Sequence, residues 1–199
     1  MREQRLAWSG KLATISFVFA LVVFSVLRPE YSNLTNAVSE LGFAGAPYSI
    51  IWNVVAFIFV GILVVVFAQA LRTNLRSEPG AVVVPILVGI SGIGFAGLGV
   101  FPADPGFNPS LATSLHFAMV SVNYLPFVIV AFVFAAKLKA HLYWKRWAIF
   151  SGSIGVVAIA SFFIPSTIPA GISQRVGIGA YFVWLFIMGV ALLRKPVRA

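Results

Sequence analysis

Six apolar stretches, each close to the length that crosses a lipid bilayer, decide what this chain can become. They run approximately over residues 12–27, 50–71, 81–101, 115–136, 147–165 and 176–193. A hydrocarbon core about 30 Å thick is spanned by roughly 20 helical residues at about 1.5 Å each. None of the stretches alternates polar and apolar side chains as barrel strands do. A helix satisfies its own backbone amides in lipid. The expected fold is therefore all-α: one polytopic domain over 1–199, a bundle of six transmembrane helices with both termini cytoplasmic. Composition agrees, because 60% of residues are hydrophobic and 10% charged, against about 25% charged in soluble domains. Water could not be kept off so much apolar surface. The first stretch follows basic residues, as a signal peptide does. Yet Phe24-Ser-Val-Leu-Arg-Pro-Glu30 offers no small-x-small cleavage site, so a retained helix is expected.

The net charge of +9 would suggest nucleic acid in a soluble protein. Its placement argues otherwise. Arg2, Arg5, Lys11, Arg72, Arg76, Lys137, Lys139, Lys145, Arg146, Arg194, Lys195 and Arg198 fall on one side of the spans; only Arg28 and Arg175 fall on the other. The basic side is expected in the cytoplasm of a cell-membrane protein, near anionic headgroups. Membrane lipids are the expected partners, and nucleic acid is not. Trp8, Trp144 and Trp147 read as anchors at the inner interface, Tyr48 and Trp52 at the outer one. Trp184, in mid-span, reads as a packing or lipid-facing residue rather than a ligand platform. Pro85 and Pro126 are expected to kink their helices. The third span is rich in glycine (Gly89, Gly92, Gly94, Gly97, Gly99) and is expected at the bundle's centre.

Three outer loops connect the spans. The first, 28–49, carries Leu34-Thr-Asn-Ala-Val-Ser-Glu-Leu41 before Gly42, which predicts a short interfacial helix ended by a glycine cap. In the second, Asn108-Pro109 predicts the start of the fourth helix.

Chemistry is constrained by what is scarce. Without cysteine there is no disulfide, thiolate metal site or thiol nucleophile. Two histidines cannot build a three-histidine zinc site; no metal and no cofactor is expected. No acidic residue sits centrally in a span, which weakens a coupled transporter. Gly92-Ile-Gly94-Phe-Ala-Gly97 spells a dinucleotide fingerprint but lies inside a membrane helix, away from any phosphate. Asn33-Leu-Thr35 is a glycosylation sequon, relevant only in a eukaryotic host. His141 reads as an ordinary loop histidine. Asn53, Asn123 and Tyr124 read as cross-helix hydrogen-bonding groups.

On the outer side the ionisable groups are Arg28, Glu30, Glu40, Asp104, Arg175 and, about two turns into the fourth span, His116. Three readings are open. In the first, a polar pocket binds a lipid headgroup or small anion, with Arg175 as a bidentate clamp and Ser39, Glu40, Asp104 and His116 around it. In the second, a hydrolase works at the outer leaflet, with His116 and Asp104 as the candidate acid–base pair. In the third, the same charges only pin loops to helix ends in a structural or accessory subunit. The residues establish no catalytic set and no oligomeric state.

Tyr31-Ser … Ser39-Glu-Leu-Gly42, the glycine-rich span ending Phe101-Pro-Ala-Asp104, His116, and Gly171 … Gln174-Arg175 together resemble the bacterial and archaeal membrane proteins grouped as domain of unknown function 998. The resemblance covers nearly the whole chain. It implies six helices and no established activity, and it matches Ser39, Glu40, Asp104, His116 and Arg175.

Overall fold

The computed structural model describes residues 2–195, apart from the side chains of Arg2 and Glu3. Arg198 and the Arg2 side chain, both counted among the basic residues above, lie outside the described residues. Six helices are long and apolar enough to cross a membrane, and no strand occurs among the described residues. They are α1 (Arg2–Leu27), α2 (Ser49–Leu75), α3 (Val83–Val100), α4 (Leu111–Leu138), α5 (Lys145–Ala160) and α6 (Ala170–Arg194).

Each helix packs against the next in sequence, and α6 closes the ring on α1. Across the ring α2 also touches α6. Successive helices alternate in direction, so the N-terminus of α1 and the C-terminus of α6 share one end, the basic end. The three longer connections, with Arg28, Glu30, Glu40 and Asp104, and Arg175 at the start of α6 share the other, the loop end.

Lipid gives helices no hydrophobic reason to associate, so close approach and ring packing must hold them. Glycines supply the approach. A Cβ on Gly61 would stand 2.5 Å from the Ala96 amide nitrogen, and one on Gly94 would stand 2.3 Å from that of Asn123. Between the helices lies an aromatic core. Phe17 stacks on Phe182 at 4.2 Å and meets Phe95 edge-on at 5.7 Å; Trp52, Phe57, Phe127 and Tyr181 extend the chain of contacts. Aromatic pairs of this kind contribute about 0.5–1.5 kcal/mol each beyond area. Trp184 is fully buried and donates from Nε1 to the Ser151 hydroxyl at 2.8 Å, which donates to the Ala131 carbonyl. It is a packing residue, not a lipid-facing one. Outward faces carry exposed Phe19, Val22, Ile62, Ile86 and Ile129, a surface fit for acyl chains.

Several expectations are corrected. Trp52 is no interfacial anchor but sits fully buried in the aromatic core, and Trp144 is equally buried; Trp8 remains exposed. The third span is tightly gripped by α2 and α4, and its Phe95 meets rings from α1, α2 and α6. Helix α4 begins at Leu111, where Ser110 accepts from the Thr113 amide; Asn108-Pro109 lies ahead of it. Pro85 falls in the first turn of α3, where its missing N–H interrupts little. Inside α2, Asn53–Ile58 winds as a wider π-helical turn, a feature often found beside functional sites. Gly99 lets α3 approach this turn: its Cβ would stand 2.5 Å from the Asn53 carbonyl oxygen.

Helix α5 is the short one. Its 16 residues, followed by a 3-10 turn at Ser161–Phe163, give way to extended Ile164 before Pro165. At about 1.5 Å per residue, α5 is much shorter than the 28-residue α4 beside it.

Gly94→Ala is expected to lower the thermal midpoint in detergent, since overpacking typically costs about 1–3 kcal/mol. Gly179→Ala, where nothing lies within 4 Å of the added Cβ, is expected to leave the midpoint unchanged or raise it. Scanning fluorimetry of the two purified variants makes the comparison; equal midpoints would contradict the close-approach account.

Candidate functional site

The loop end is organised by the first connection lying across the start of α6. Arg175 does the fastening. Its Nη1 donates to the Asn36 carbonyl at 2.9 Å and to the Gly171 carbonyl at 2.8 Å; its Nη2 donates to the Tyr31 hydroxyl at 2.5 Å and to Asn33 Oδ1 at 2.8 Å. Gln174 Oε1 accepts from the Val38 amide at 2.6 Å. Gly171 permits the contact, because a Cβ there would stand 2.6 Å from the Leu34 carbonyl oxygen. Burial pushes the Tyr31 phenol above its ordinary value, although the Arg175 charge beside it pulls the other way.

The predicted interfacial helix is a single 3-10 turn, Val38–Gly42. Glu40 explains why it starts there. Its carboxylate accepts from the Ala37 amide at 2.6 Å and from Asn36 Nδ2 at 2.7 Å. Gly42 serves close approach rather than a cap: a Cβ would stand 2.2 Å from Asn53 Oδ1, and Asn53 Nδ2 donates to the Gly42 carbonyl. Arg28 donates to the Glu40 carbonyl at 3.1 Å and to Glu30 at 2.6 Å. That bond holds the Glu30 carboxyl below its usual range. Arg28, Tyr31, Asn36 and Glu40, with Phe43 and Pro47, line a mixed hollow of about 290 Å³ on the outer side of the turn.

On the inner side of the same turn lies a larger cavity, about 450 Å³. Val38 and Ser39 form its roof. Phe57, Phe95, Leu98, Phe107, Phe117, Val120 and Ile178 form apolar walls; His116, Asn123, Tyr124, Ser161 and Gln174 add polar groups. Phe107 holds φ at 55°, a region bulky residues rarely enter, and its ring stands edge-on to Phe43 at 4.8 Å. Asn123 donates to the Ser91 carbonyl and hydroxyl, and Ser91 donates to the Tyr181 hydroxyl. Tyr124 donates to the Ala158 carbonyl at 3.1 Å. These are the cross-helix bonds expected of Asn123 and Tyr124.

His116 is 3% exposed. Its Nδ1 lies 2.9 Å from the Phe101 carbonyl. A carbonyl only accepts, so Nδ1 carries a proton and donates it there.

The four ionisable groups expected to converge do not form one pocket. Glu40 and Arg175 are joined through Asn36. His116 shares the cavity with Ser39 and Gln174. Asp104 stands apart: its amide donates to Thr113 Oγ1 at 3.1 Å, and its carboxylate has no hydrogen bond or ion pair among the described residues. The Phe101 carbonyl, not Asp104, orients the imidazole. Nor does Arg175 fit a bidentate clamp, since four of its five N–H groups are directed at protein oxygens.

Sequence reasoning passed over two groups. Gln174 bears on both loop and cavity, but a neutral amide beside an arginine gives no signal. Glu78, in Ser77-Glu78-Pro79-Gly80, lies among turn-forming residues on the basic side, where charges are ordinary. It is buried at the basic end, with Oε2 3.2 Å from His141 Nε2 and Oε1 3.8 Å from Lys195 Nζ. The Tyr143 and Trp144 amides donate to His141 Nδ1. His141 is therefore a pin between two connections rather than an ordinary loop histidine.

The profile of the family described as "Protein of unknown function (DUF998)" matches residues 12–191. The chain belongs to the DUF998 family. No curated protein and no solved structure matches it. The segments that carry the family resemblance, Tyr31, Ser39–Gly42 and Gly171–Arg175, meet in space as the strapped turn and the helix start beneath it.

Arg175→Ala is expected to speed amide hydrogen exchange across residues 36–42 by about tenfold or more, since one hydrogen bond to a charged group contributes about 1.5–3 kcal/mol. Arg175→Lys should not restore protection, because an ammonium cannot reproduce the fork. Unchanged exchange in both variants would remove the strap.

Proposed function

We propose that this DUF998 protein is a cell-membrane protein that binds an amphiphilic lipid in the cavity between α4 and α6, with its loop end away from the cytoplasm. The apolar part of the ligand lies along Phe57, Phe95, Val120 and Ile178, and its polar end meets Ser39, His116 and Gln174. The observation that carries this reading is the cavity itself. Its size falls within the roughly 300–1,000 Å³ of small-molecule sites, and its make-up is theirs too: apolar walls with a few polar groups.

The balance favours a lipid over a small anion. A free anion needs a cation with unused donors, and Arg175 is engaged with the loop. His116, with Nδ1 committed to the Phe101 carbonyl, stands on the cavity's polar side, where a headgroup can meet it. Entry is expected from the side. Phe117 and Phe162 line the cavity and are also exposed on the bundle's outer surface, where lipid lies. In this reading Arg175 and Glu40 are positioning residues that hold the roof, and Ser39 and His116 touch the ligand. Asp104 has no part in it.

Val120→Trp fills the cavity from one wall. Native mass spectrometry of the wild type, purified in mild detergent, is expected to show a lipid bound to the chain. In Val120→Trp the occupancy should fall about tenfold while the thermal midpoint stays close to wild type. A wild type that carries no lipid, or equal occupancy in a folded variant, would end the proposal.

A further inference from the structure

We propose a second site at the basic end, which holds the phosphate of an anionic phospholipid in the groove where the α4–α5 connection meets the first turn of α5. His141, Leu142, Tyr143, Lys145, Arg146 and Ile149 line this groove.

Two cations meet there without an acid. Lys145 and Arg146 are exposed, and neither forms an ion pair among the described residues. The nearest carboxylate in the connections, Glu78, is buried and faces His141 and Lys195. Arg146 is positioned by two neighbouring aromatic residues: its guanidinium carbon lies 4.4 Å from the centre of the Trp147 ring and 6.0 Å from that of Tyr143, whose phenol also hydrogen-bonds with it. Such contacts fix the plane and leave the N–H groups not turned to Tyr143 for a ligand.

The apolar members of the groove say which source the phosphate has. Leu142 is 98% exposed and Ile149 is 61% exposed. Beside a pair of cations, such side chains suit the boundary between headgroups and acyl chains, not a pocket for a soluble phosphate. His141, held by Glu78 and by two backbone amides, fixes the connection that presents Leu142.

The test uses the full chain in neutral detergent, titrated with phosphatidylglycerol and, separately, with phosphatidylcholine and inorganic phosphate, and followed by native mass spectrometry. The wild type should prefer phosphatidylglycerol over phosphatidylcholine, and inorganic phosphate should not displace it. Lys145→Ala with Arg146→Ala should weaken the phosphatidylglycerol adduct about tenfold. Leu142→Ser should weaken it too. Lys137→Ala with Lys139→Ala, which removes equal charge outside the groove, should leave it nearly unchanged, as should Val120→Trp in the distant cavity. Equal loss in the two double variants would reduce the effect to diffuse charge and overturn the site. So would the absence of any preference for the anionic lipid, or displacement by inorganic phosphate.

Discussion

Helices already in lipid gain nothing from hiding apolar surface against one another, so this bundle depends on how closely its backbones can approach. Gly61 against Gly92 and Ala96, and Gly94 against Asn123, bring α2, α3 and α4 to distances that no Cβ would allow. Once that sector is tight, the large rings have a fixed place to meet. Phe17, Phe57, Phe95, Tyr181 and Phe182 fill the middle through edge-on and stacked contacts. The glycines set the frame and the aromatics fill it; neither would hold the ring alone.

Polar groups then do at the loop end what glycines do in the middle. A guanidinium near the interface is costly unless its donors are satisfied. Arg175 meets that demand with carbonyls, a phenol and an amide rather than with a carboxylate. Glu40, four residues after Asn36, is likewise satisfied by an amide N–H and an asparagine. Two opposite charges thus stand close together, each bonded to backbone and neutral groups, with Asn36 between them. The result is a stiff roof over the cavity built from a connection whose one helical piece is a 3-10 turn.

That arrangement shows why some of the molecule is legible in the sequence and some is not. The six spans, the charge asymmetry and the family could be read because each is a property of long stretches, where many residues vote the same way. Trp184 could be read as packing or lipid-facing because mid-span offers an indole few other uses. The meeting of Glu40, Asp104, His116 and Arg175 was misjudged because charges were matched with charges. Backbone carbonyls satisfied His116 and half of Arg175's contacts, and carbonyls leave no mark in a sequence. Glu78 was passed over for a related reason. Its partners, His141 and Lys195, come from two distant segments, and nothing near Glu78 announces them.

The cavity's position follows from a difference in length. Helix α5 has 16 residues, where α4 and α6 have 28 and 25. Pro165 bars Ile164 from continuing the helix, so α5 stops short while its neighbours rise past it. What would be the last turns of α5 is instead an opening between α4 and α6, bounded below by Ser161 and Phe162 and above by Val38 and Ser39. Gly177 keeps α6 thin at this level: a Cβ there would stand 2.7 Å from the Tyr124 hydroxyl. The apolar space is thus a consequence of a shortened helix, a glycine and a strapped turn. Of Arg28, Glu30, Glu40, Asp104, His116 and Arg175, it is His116 that is brought to its wall.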